Sequence, residues 1–223
     1  DLTLYTGIFT NLLNLGYPVA FQNTVIFIGG MIVQSVVNSF GVLFIAGFTA
    51  TNKLYGVLEC AAISYGYSMT TYAGQNLGAG SIPRIRKGVR SAIVISLFTS
   101  LAITVCMLVF GRTILGWFLS GDTDQVSATM EIAYHYLSIM SIFLPILYLL
   151  YIIRSTLQGV GDTIMPMVSG IAEFIMRVGT ALLLPLIMGQ EGIFYAEILA
   201  WTGADIILLA AYFYHCTKWK RNA

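Results

Sequence analysis

Charge is what this sequence has least of. Only 9% of its 223 residues are Asp, Glu, Lys or Arg, against about 25% in an average soluble protein. So few charges cannot cover the water-exposed surface of a chain this long, and hydrophobic residues make up 57% of it, with a mean hydropathy of +0.82. The net charge of +1 argues against nucleic acid as a partner. We therefore expect an all-α protein embedded in lipid.

Residues for metal, disulfide or catalytic chemistry are also scarce. The three cysteines, Cys60, Cys106 and Cys216, lie in or beside apolar segments and have no metal-ligand spacing, so we predict buried hydrophobic side chains and no disulfide. The two histidines, His135 and His215, are likewise isolated from other ligands. The chain has no phosphate-binding loop, nucleophile elbow or HExxH motif. We expect no enzyme activity, no metal and no cofactor.

Six apolar stretches are each long enough to cross a membrane, which requires about 20 helical residues. Glycine-rich breaks separate most of them, and Pro145 predicts a kink in the fourth. The second exceeds the roughly 30 Å thickness of the hydrocarbon core, so it should tilt or project. We predict that residues 1–223 form a single six-helix transmembrane domain, with spans at about 18–40, 42–72, 85–110, 126–156, 163–188 and 193–216.

Basic residues give this domain an orientation. With six spans, both termini and the loops after spans two and four share one side. Basic loops face the cytoplasm, so both termini are predicted to be cytoplasmic in a cell (plasma) membrane protein. Lys53 and Arg112 fall towards the opposite side, and Arg177 lies mid-span. The residues assigned to the cytoplasmic side are Arg84, Arg86, Lys87, Arg90, Arg154, Lys218, Lys220 and Arg221.

Four amides in the first span are candidates for a substrate pathway. They are Gln22, Asn23, Gln34 and Asn38. At about 100° per residue, three of them (all but Gln22) fall on one narrow stripe of the helix. A polar stripe inside a membrane lines a cavity or makes hydrogen bonds between helices, and the pattern leaves both alternatives open.

Intramembrane charges are costly and therefore indicate function or pairing. Tyr55 and Glu59 share a face of span two, where Glu59 is either a carboxylate that attracts organic cations or a hydrogen-bonded structural group. Glu173 and Arg177 have the four-residue spacing of a helical ion pair, with a structural or an ion-coupling role. Asp205 lies centrally in span six without a partner in its own helix. It is our candidate for a group that binds a proton or a coupling ion.

Several motifs resemble the multidrug and toxic compound extrusion (MATE) family. Residues 15–20 (LGYPVA) are similar to the start of that family's seventh helix, and residues 74–80 (GQNLGAG) to the exit from its eighth. Residues 154–163, followed by Pro166, resemble the loop after the tenth helix, and residues 173–177 recur in the eleventh. Their order and spacing cover the whole chain.

The resemblance implies one lobe, the C-terminal one, of a twelve-helix transporter with two pseudosymmetric lobes. It implies an antiporter that exports small organic, often cationic, drugs as Na⁺ or H⁺ enters, with membrane lipid and a missing N-terminal lobe as partners. One branch of the family places carboxylates in the seventh and tenth helices. Span one has no Asp or Glu, and span four has only Glu131 near its outer end. The coupling ion therefore stays open.

Two alternative functions compete with this expectation. A lipid-linked oligosaccharide flippase of the same superfamily should have a cavity lined by basic residues, and the sequence places few of these inside the membrane. A non-transporting membrane assembly subunit would not require the polar stripe on span one.

Overall fold

The computed structural model describes residues 5–221, apart from the side chains of Lys220 and Arg221. Lys220 and Arg221, which the sequence assigns to the cytoplasmic side, thus have side chains outside the described part. The described chain is helical throughout, with short connections. Its elements are α1 (Thr6–Val37), α2 (Val42–Gly78), α3 (Ile82–Gly116), α4 (Thr123–Ile142), α5 (Leu144–Gly159), α6 (Ile164–Leu183), α7 (Pro185–Met188), a 3-10 segment (Gly189–Tyr195) and α8 (Ala196–Arg221).

These elements give six long helical units, because α4 and α5 together form the fourth and α6 with α7 the fifth. The largest difference from the predicted spans concerns the first helix, which begins at Thr6 and not at Pro18. Proline inside a membrane helix removes one hydrogen bond but does not end the helix when neighbours compensate. Pro18 itself is buried. The apolar residues before it, such as Ile8 and Leu12, continue the helix.

The bend between α4 and α5 measures 49°, and its cause is local. Pro145 has no backbone N–H, so the carbonyl of Ser141 four residues earlier loses its helical donor. The hydroxyl of Thr104 on α3 donates to that carbonyl at 2.6 Å. The predicted kink at Pro145 is therefore present, and a side chain from a neighbouring helix satisfies the carbonyl that it frees.

Glycines set the closest helix contacts. A Cβ atom at Gly170 on α6 would lie 2.5 Å from Cγ of Gln22 on α1, and one at Gly159 on α5 would lie 2.5 Å from the backbone oxygen of Thr70 on α2. Small residues allow this approach, which is how membrane helices gain packing contacts. The result is a bundle in which α6 packs between α1 and α8, while α2 packs against α3, α4 and α5.

A cluster of aromatic rings covers the end of the bundle that carries the 3-10 segment. Tyr136 stacks between Phe48 and Phe194, with both centroid distances at 4.8 Å, and Phe44 stacks on Phe194 at 5.5 Å. Aromatic pairs of this kind contribute about 0.5–1.5 kcal/mol each beyond their burial. The cluster fixes the turn between α7 and α8 against α2 and α4.

The outer surface of the bundle is apolar, as lipid contact requires. Phe98, Leu101 and Val105 on α3 are all more than half exposed. Of the described helices, α1, α3 and the run Ile164–Trp219 are long and apolar enough to span a membrane, and the bent α4–α5 pair makes a fourth. That long run folds back on itself, since α6 and α8 lie side by side. The remaining long helix, α2, carries more polar residues, several of which face the interior site described below.

The cysteine prediction is partly wrong. Cys216 is buried, but Cys60 and Cys106 are exposed. All three are free thiols. The described residues contain no group of three or more His, Cys, Asp and Glu side chains placed to hold a metal ion.

Candidate functional site

A polar cavity of about 640 Å³ lies between α1, α2, α5, α6 and α8. Its walls combine apolar side chains with polar and charged groups from all five helices. Four of its aromatic wall residues are Phe27, Tyr67, Tyr151 and Trp201. The sequence-predicted residues that line it are Gln22, Asn23, Tyr55, Glu59, Glu173 and Arg177.

Glu59 lies on the cavity wall and accepts a hydrogen bond from the Tyr151 hydroxyl at 2.8 Å. Within the described part of the chain it forms no ion pair, in contrast to the other two cavity carboxylates, Glu173 and Glu197. Tyr55, one helical turn before it on α2, stacks on Trp201 of α8 with centroids 5.9 Å apart. The site therefore presents a carboxylate without a cationic partner beside several aromatic rings.

The other charged groups form a chain of ion pairs across three helices. Arg154 on α5 contacts one oxygen of Glu173 on α6 at 2.6 Å, and Arg177 contacts the other at 2.8 Å. Arg177 also contacts Glu197 on α8 at 2.7 Å and donates to the backbone oxygen of Ile26 on α1 at 3.2 Å. Two guanidiniums thus balance two carboxylates. Because these groups are buried, the mutual pairing offsets much of their dehydration cost.

Gln22 connects this network to α1. It is 1% exposed, and its amide lies 3.3 Å from Nε2 of Gln158. With the amide oriented so that its oxygen faces Arg154, Gln22 accepts from Nε of Arg154 and donates to the carbonyl of Pro166, both at 3.3 Å. The missing side chain of Gly170 leaves the space that Gln22 occupies.

The polar stripe predicted on α1 divides into two parts. Asn23 and the small Gly30 line the cavity, whereas Gln34 and Asn38 do not. Nε2 of Gln34 instead donates to Oδ1 of Asn38 at 2.9 Å, in an exposed position at the end of the helix. The prediction that Gln34 and Asn38 belong to the substrate pathway has no support in this geometry, because neither side chain lines the cavity.

Asp205 also lies outside the cavity lining. Asp205 is 5% exposed, and both of its carboxylate oxygens are buried without a hydrogen-bond partner in the described chain. An ionised carboxylate without partners is costly in such a place. Arg154 on α5 and Glu173 on α6 are the charged groups that act on it electrostatically. The structure does not bring Asp205 into contact with either.

Sequence reasoning missed part of α5 and α8. Arg154 was counted only among the basic residues of the cytoplasmic side and was not predicted as a site residue, but it is 7% exposed and pairs with Glu173 on the cavity wall. Tyr151, Arg154, Ser155 and Gln158 all line the cavity. Their spacing of three to four residues marks one polar face of a helix, and that signal was available in the sequence. Glu197 and Trp201 share a face of α8 in the same way.

Fold and cavity together define a helical membrane bundle around a charged interior site, and comparisons give its family. The chain belongs to the MatE family, whose model matches residues 18–183. Among curated proteins it is 28% identical over 183 residues to "Probable multidrug resistance protein YpnP" of Bacillus subtilis (strain 168). The matched region covers 82% of this chain and 40% of that protein. "Probable multidrug resistance protein YoeA" of the same organism is 27% identical over 164 residues, covering 72% of this chain and 34% of that protein.

Solved structures show the same fold. A crystal structure of MATE in complex with MaL6 superimposes with a TM-score of 0.88 at 16% identity, covering 98% of this chain and 49% of that one. A MOP superfamily transporter from Pyrococcus furiosus Vc1 (DSM3638) gives 0.81 at 16% identity, covering 89% and 43%. This chain therefore spans less than half the length of these proteins. The expected resemblance to the MATE family is confirmed, as is the expectation that the chain belongs to a class of membrane transporters and not of enzymes.

Proposed function

We propose that this chain is the C-terminal lobe of a two-lobe antiporter in the plasma membrane. The transporter exports small organic, often cationic, compounds while Na⁺ or H⁺ enters, and it alternates access to a site between the lobes. The missing N-terminal lobe is the obligatory partner, and membrane lipid surrounds both. The MatE match and the half-length coverage of the solved structures support the architecture. The multidrug resistance names of the relatives support the cargo.

The observation that carries the cargo proposal is the carboxylate of Glu59, which lies beside aromatic rings and forms no ion pair within the described residues. Tyr55, Tyr67 and Trp201 line the same cavity. Aromatic faces attract cations, and a carboxylate supplies the opposite charge. A flat organic cation can therefore stack on the rings while its charge lies near Glu59. Apolar walls with few polar groups are typical of small-molecule sites.

Ion coupling is proposed to use the buried acidic groups. The network of Arg154, Glu173, Arg177 and Glu197 connects three helices and is charge-balanced. A proton or Na⁺ on either carboxylate would free a guanidinium and loosen α5, α6 and α8 from one another. Asp205, buried without a hydrogen-bond partner in the described chain, is the proposed group that takes up the coupling ion. The cavity residues Asn23 and Gln22 belong to the substrate pathway.

Orientation remains part of the proposal. Both termini are proposed to be cytoplasmic on the strength of the basic segment at residues 84–90. Arg154 is buried. Without it, the predicted cytoplasmic side still carries more Lys and Arg residues than the opposite side.

A flippase should have basic residues in its cavity, and the structure places two arginines there, Arg154 as well as Arg177. Both guanidiniums are already bound by Glu173 and Glu197. A cavity in which every arginine has a carboxylate partner is poorly suited to anionic oligosaccharide phosphates. The non-transporting subunit is opposed by the cavity itself, which a scaffold does not require.

The test measures ethidium efflux from proteoliposomes that contain the full-length protein, driven by a Na⁺ or H⁺ gradient. Glu59→Gln should lower the apparent affinity for ethidium at least about tenfold, which corresponds to about 1.4 kcal/mol. Glu131→Gln is the matched control, since it removes an exposed carboxylate outside the cavity, and should leave efflux within about twofold.

Unchanged efflux by Glu59→Gln would overturn the cargo site. No gradient-driven efflux by the unmodified protein, together with flipping of a labelled lipid-linked sugar, would favour the flippase. We expect the lobe of residues 1–223 alone not to transport, and robust efflux from it would favour a homodimer.

A further inference from the structure

A second groove lies on the lateral surface, away from the polar cavity. It has a volume of about 380 Å³ and is bounded by the start of α3, the end of α8 and the middle of α5. None of its lining residues is shared with the polar cavity. The residues that line it are Arg86, Val89, Arg90, Ile93, Ile153, Leu209, Tyr212, Phe213, Cys216 and Thr217.

The floor of the groove is apolar and well packed. Ile153 is 0% exposed and Val89 is 1% exposed, so both belong to the bundle core. Leu209 and Ile93 continue this surface along α8 and α3. Phe213 is 62% exposed and forms a wall. Such a surface can hold a hydrocarbon chain but offers nothing to a soluble polar ligand.

Two guanidiniums lie at one end of that apolar floor. Arg86 and Arg90 are four residues apart on α3, so they are neighbours on one helix face. Both line the groove, and the part of its lining that the structure describes contains no acidic residue. Within the described chain, neither forms an ion pair with a carboxylate. Arg84 and Lys87, on the same helical turns, are exposed and lie outside the groove.

We infer that this groove binds one anionic phospholipid, whose phosphate lies between Arg86 and Arg90 and whose acyl chain lies on the floor at Val89, Ile153 and Leu209. Arginine forks suit phosphate oxygens because they donate two hydrogen bonds in one plane. The groove begins where α3 leaves its basic first turns and passes into its apolar section, where the side chains of Val94 and Phe98 are exposed. A lipid in the groove would therefore place its charged headgroup beside the two arginines and its hydrocarbon chain against the apolar floor.

Charge complementarity selects the anionic class over neutral lipids. A phosphatidylcholine headgroup carries its own cation and would compete poorly for two guanidiniums that have no carboxylate partner among the described residues. The apolar floor selects a lipid over free phosphate, since a soluble anion gains nothing from Ile153 and Leu209. Lipid binding in this groove does not depend on which compound binds in the polar cavity.

The experiment counts bound lipid by native mass spectrometry, using the full-length protein in detergent titrated with phosphatidylglycerol. The variant Arg86→Gln/Arg90→Gln should bind about 30-fold more weakly, since each basic side chain near an anionic headgroup contributes about 1 kcal/mol. Arg84→Gln/Lys87→Gln removes the same charge from the same helix outside the groove. It should change binding by no more than about twofold.

Further arms identify the occupant. Leu209→Trp leaves both arginines intact but fills the floor, and it should weaken phosphatidylglycerol binding while leaving inorganic phosphate binding unchanged. A size-exclusion profile identical to that of the unmodified protein verifies folding for each variant. Equal losses in the two double variants would overturn the proposal. So would equal binding of phosphatidylcholine, displacement of the lipid by millimolar inorganic phosphate, or unaltered lipid binding in Leu209→Trp.

Discussion

Arg154 and Glu173 form a 2.6 Å ion pair that joins α5 to α6 deep inside the bundle. Neither side chain is more than 9% exposed, and Glu173 uses its second oxygen to bind Arg177. One carboxylate thus holds two guanidiniums from two helices. This contact ties the broken fourth helical unit to the helix that packs against α1, and both of its side chains line the cavity.

Breaking that pair should cost far more than breaking an exposed one. Arg154→Gln leaves the Glu173 carboxylate partly uncompensated in the interior, and we expect a loss of about 3–5 kcal/mol. Thermal unfolding in detergent, monitored by circular dichroism, measures the change. Arg112→Gln is the control, because its pair with Glu131 has side chains 52% and 65% exposed and should contribute little to stability in water. Similar losses in both variants would contradict the buried network.

Asp205 should respond differently from Glu173 to the same chemical change. Asp205→Asn removes a buried group that lacks hydrogen-bond partners in the described chain, so unfolding stability should stay the same or rise. Glu173→Gln removes the counter-charge of two arginines, so stability should fall. Thermal unfolding measures both variants.

Transport gives a second readout for Asp205. We expect Asp205→Asn in the full-length protein to lose efflux driven by the Na⁺ or H⁺ gradient while it still binds ethidium, as fluorescence titration would show. Gradient-driven efflux equal to that of the unmodified protein would remove Asp205 from the coupling mechanism.

The contribution of Thr104 to stability should depend on the presence of Pro145. Its hydroxyl satisfies the Ser141 carbonyl that the proline leaves without a donor, so Thr104→Val should cost about 1–3 kcal/mol. In a Pro145→Ala background the backbone N–H of residue 145 can take over, and the cost of Thr104→Val should shrink. A double-mutant cycle by thermal unfolding measures this coupling. Thr24→Val is the control, since its hydroxyl bonds to the carbonyl of Ala20 in its own helix, at an exposed site. If the effects of Thr104→Val and Pro145→Ala on stability are additive, Thr104 does not compensate for the proline.

Gly159 should be intolerant of a single added carbon. A Cβ there would lie 2.5 Å from the backbone oxygen of Thr70, so Gly159→Ala must push α2 and α5 apart, at a cost of about 1–3 kcal/mol. Gly179 on α6 has no other atom within 4 Å of the same position. Gly179→Ala should therefore be neutral or stabilise the helix by up to about 1 kcal/mol. Thermal unfolding compares the two, and equal effects would show that the α2–α5 contact adjusts freely.

Local sequence features predicted much of the architecture. Apolar runs interrupted by glycine-rich segments gave six helical units, because helix formation and its interruption depend on nearby residues. Pro145 gave the kink for the same reason, since the hydrogen bond that it lacks lies within its own helix. The start of α1 was missed, since an apolar sequence on both sides of Pro18 carries no signal of where the helix begins.

The site was predictable only where it follows from helical spacing. Glu173 and Arg177 are four residues apart, so a single helix brings them together. Arg154 was used only to predict the orientation in the membrane, because nothing near it in sequence shows that α6 presents Glu173 to it. Gln34 and Asn38 have the spacing of a cavity stripe, but they bond to each other and do not line the cavity.

The amino-acid sequence by itself determined that this protein is a helical membrane bundle with breaks at defined places. Hydrophobicity and helical periodicity are properties of neighbouring residues, and they suffice for that. The tertiary structure alone decided which charges meet. Arg177 and Glu197 are 20 positions apart, and Tyr151 and Glu59 are 92 apart. Such contacts depend on how whole helices pack. That packing buries Arg154 beside Glu173, and it places Glu59 on the cavity wall with no cationic partner among the residues that the structure describes.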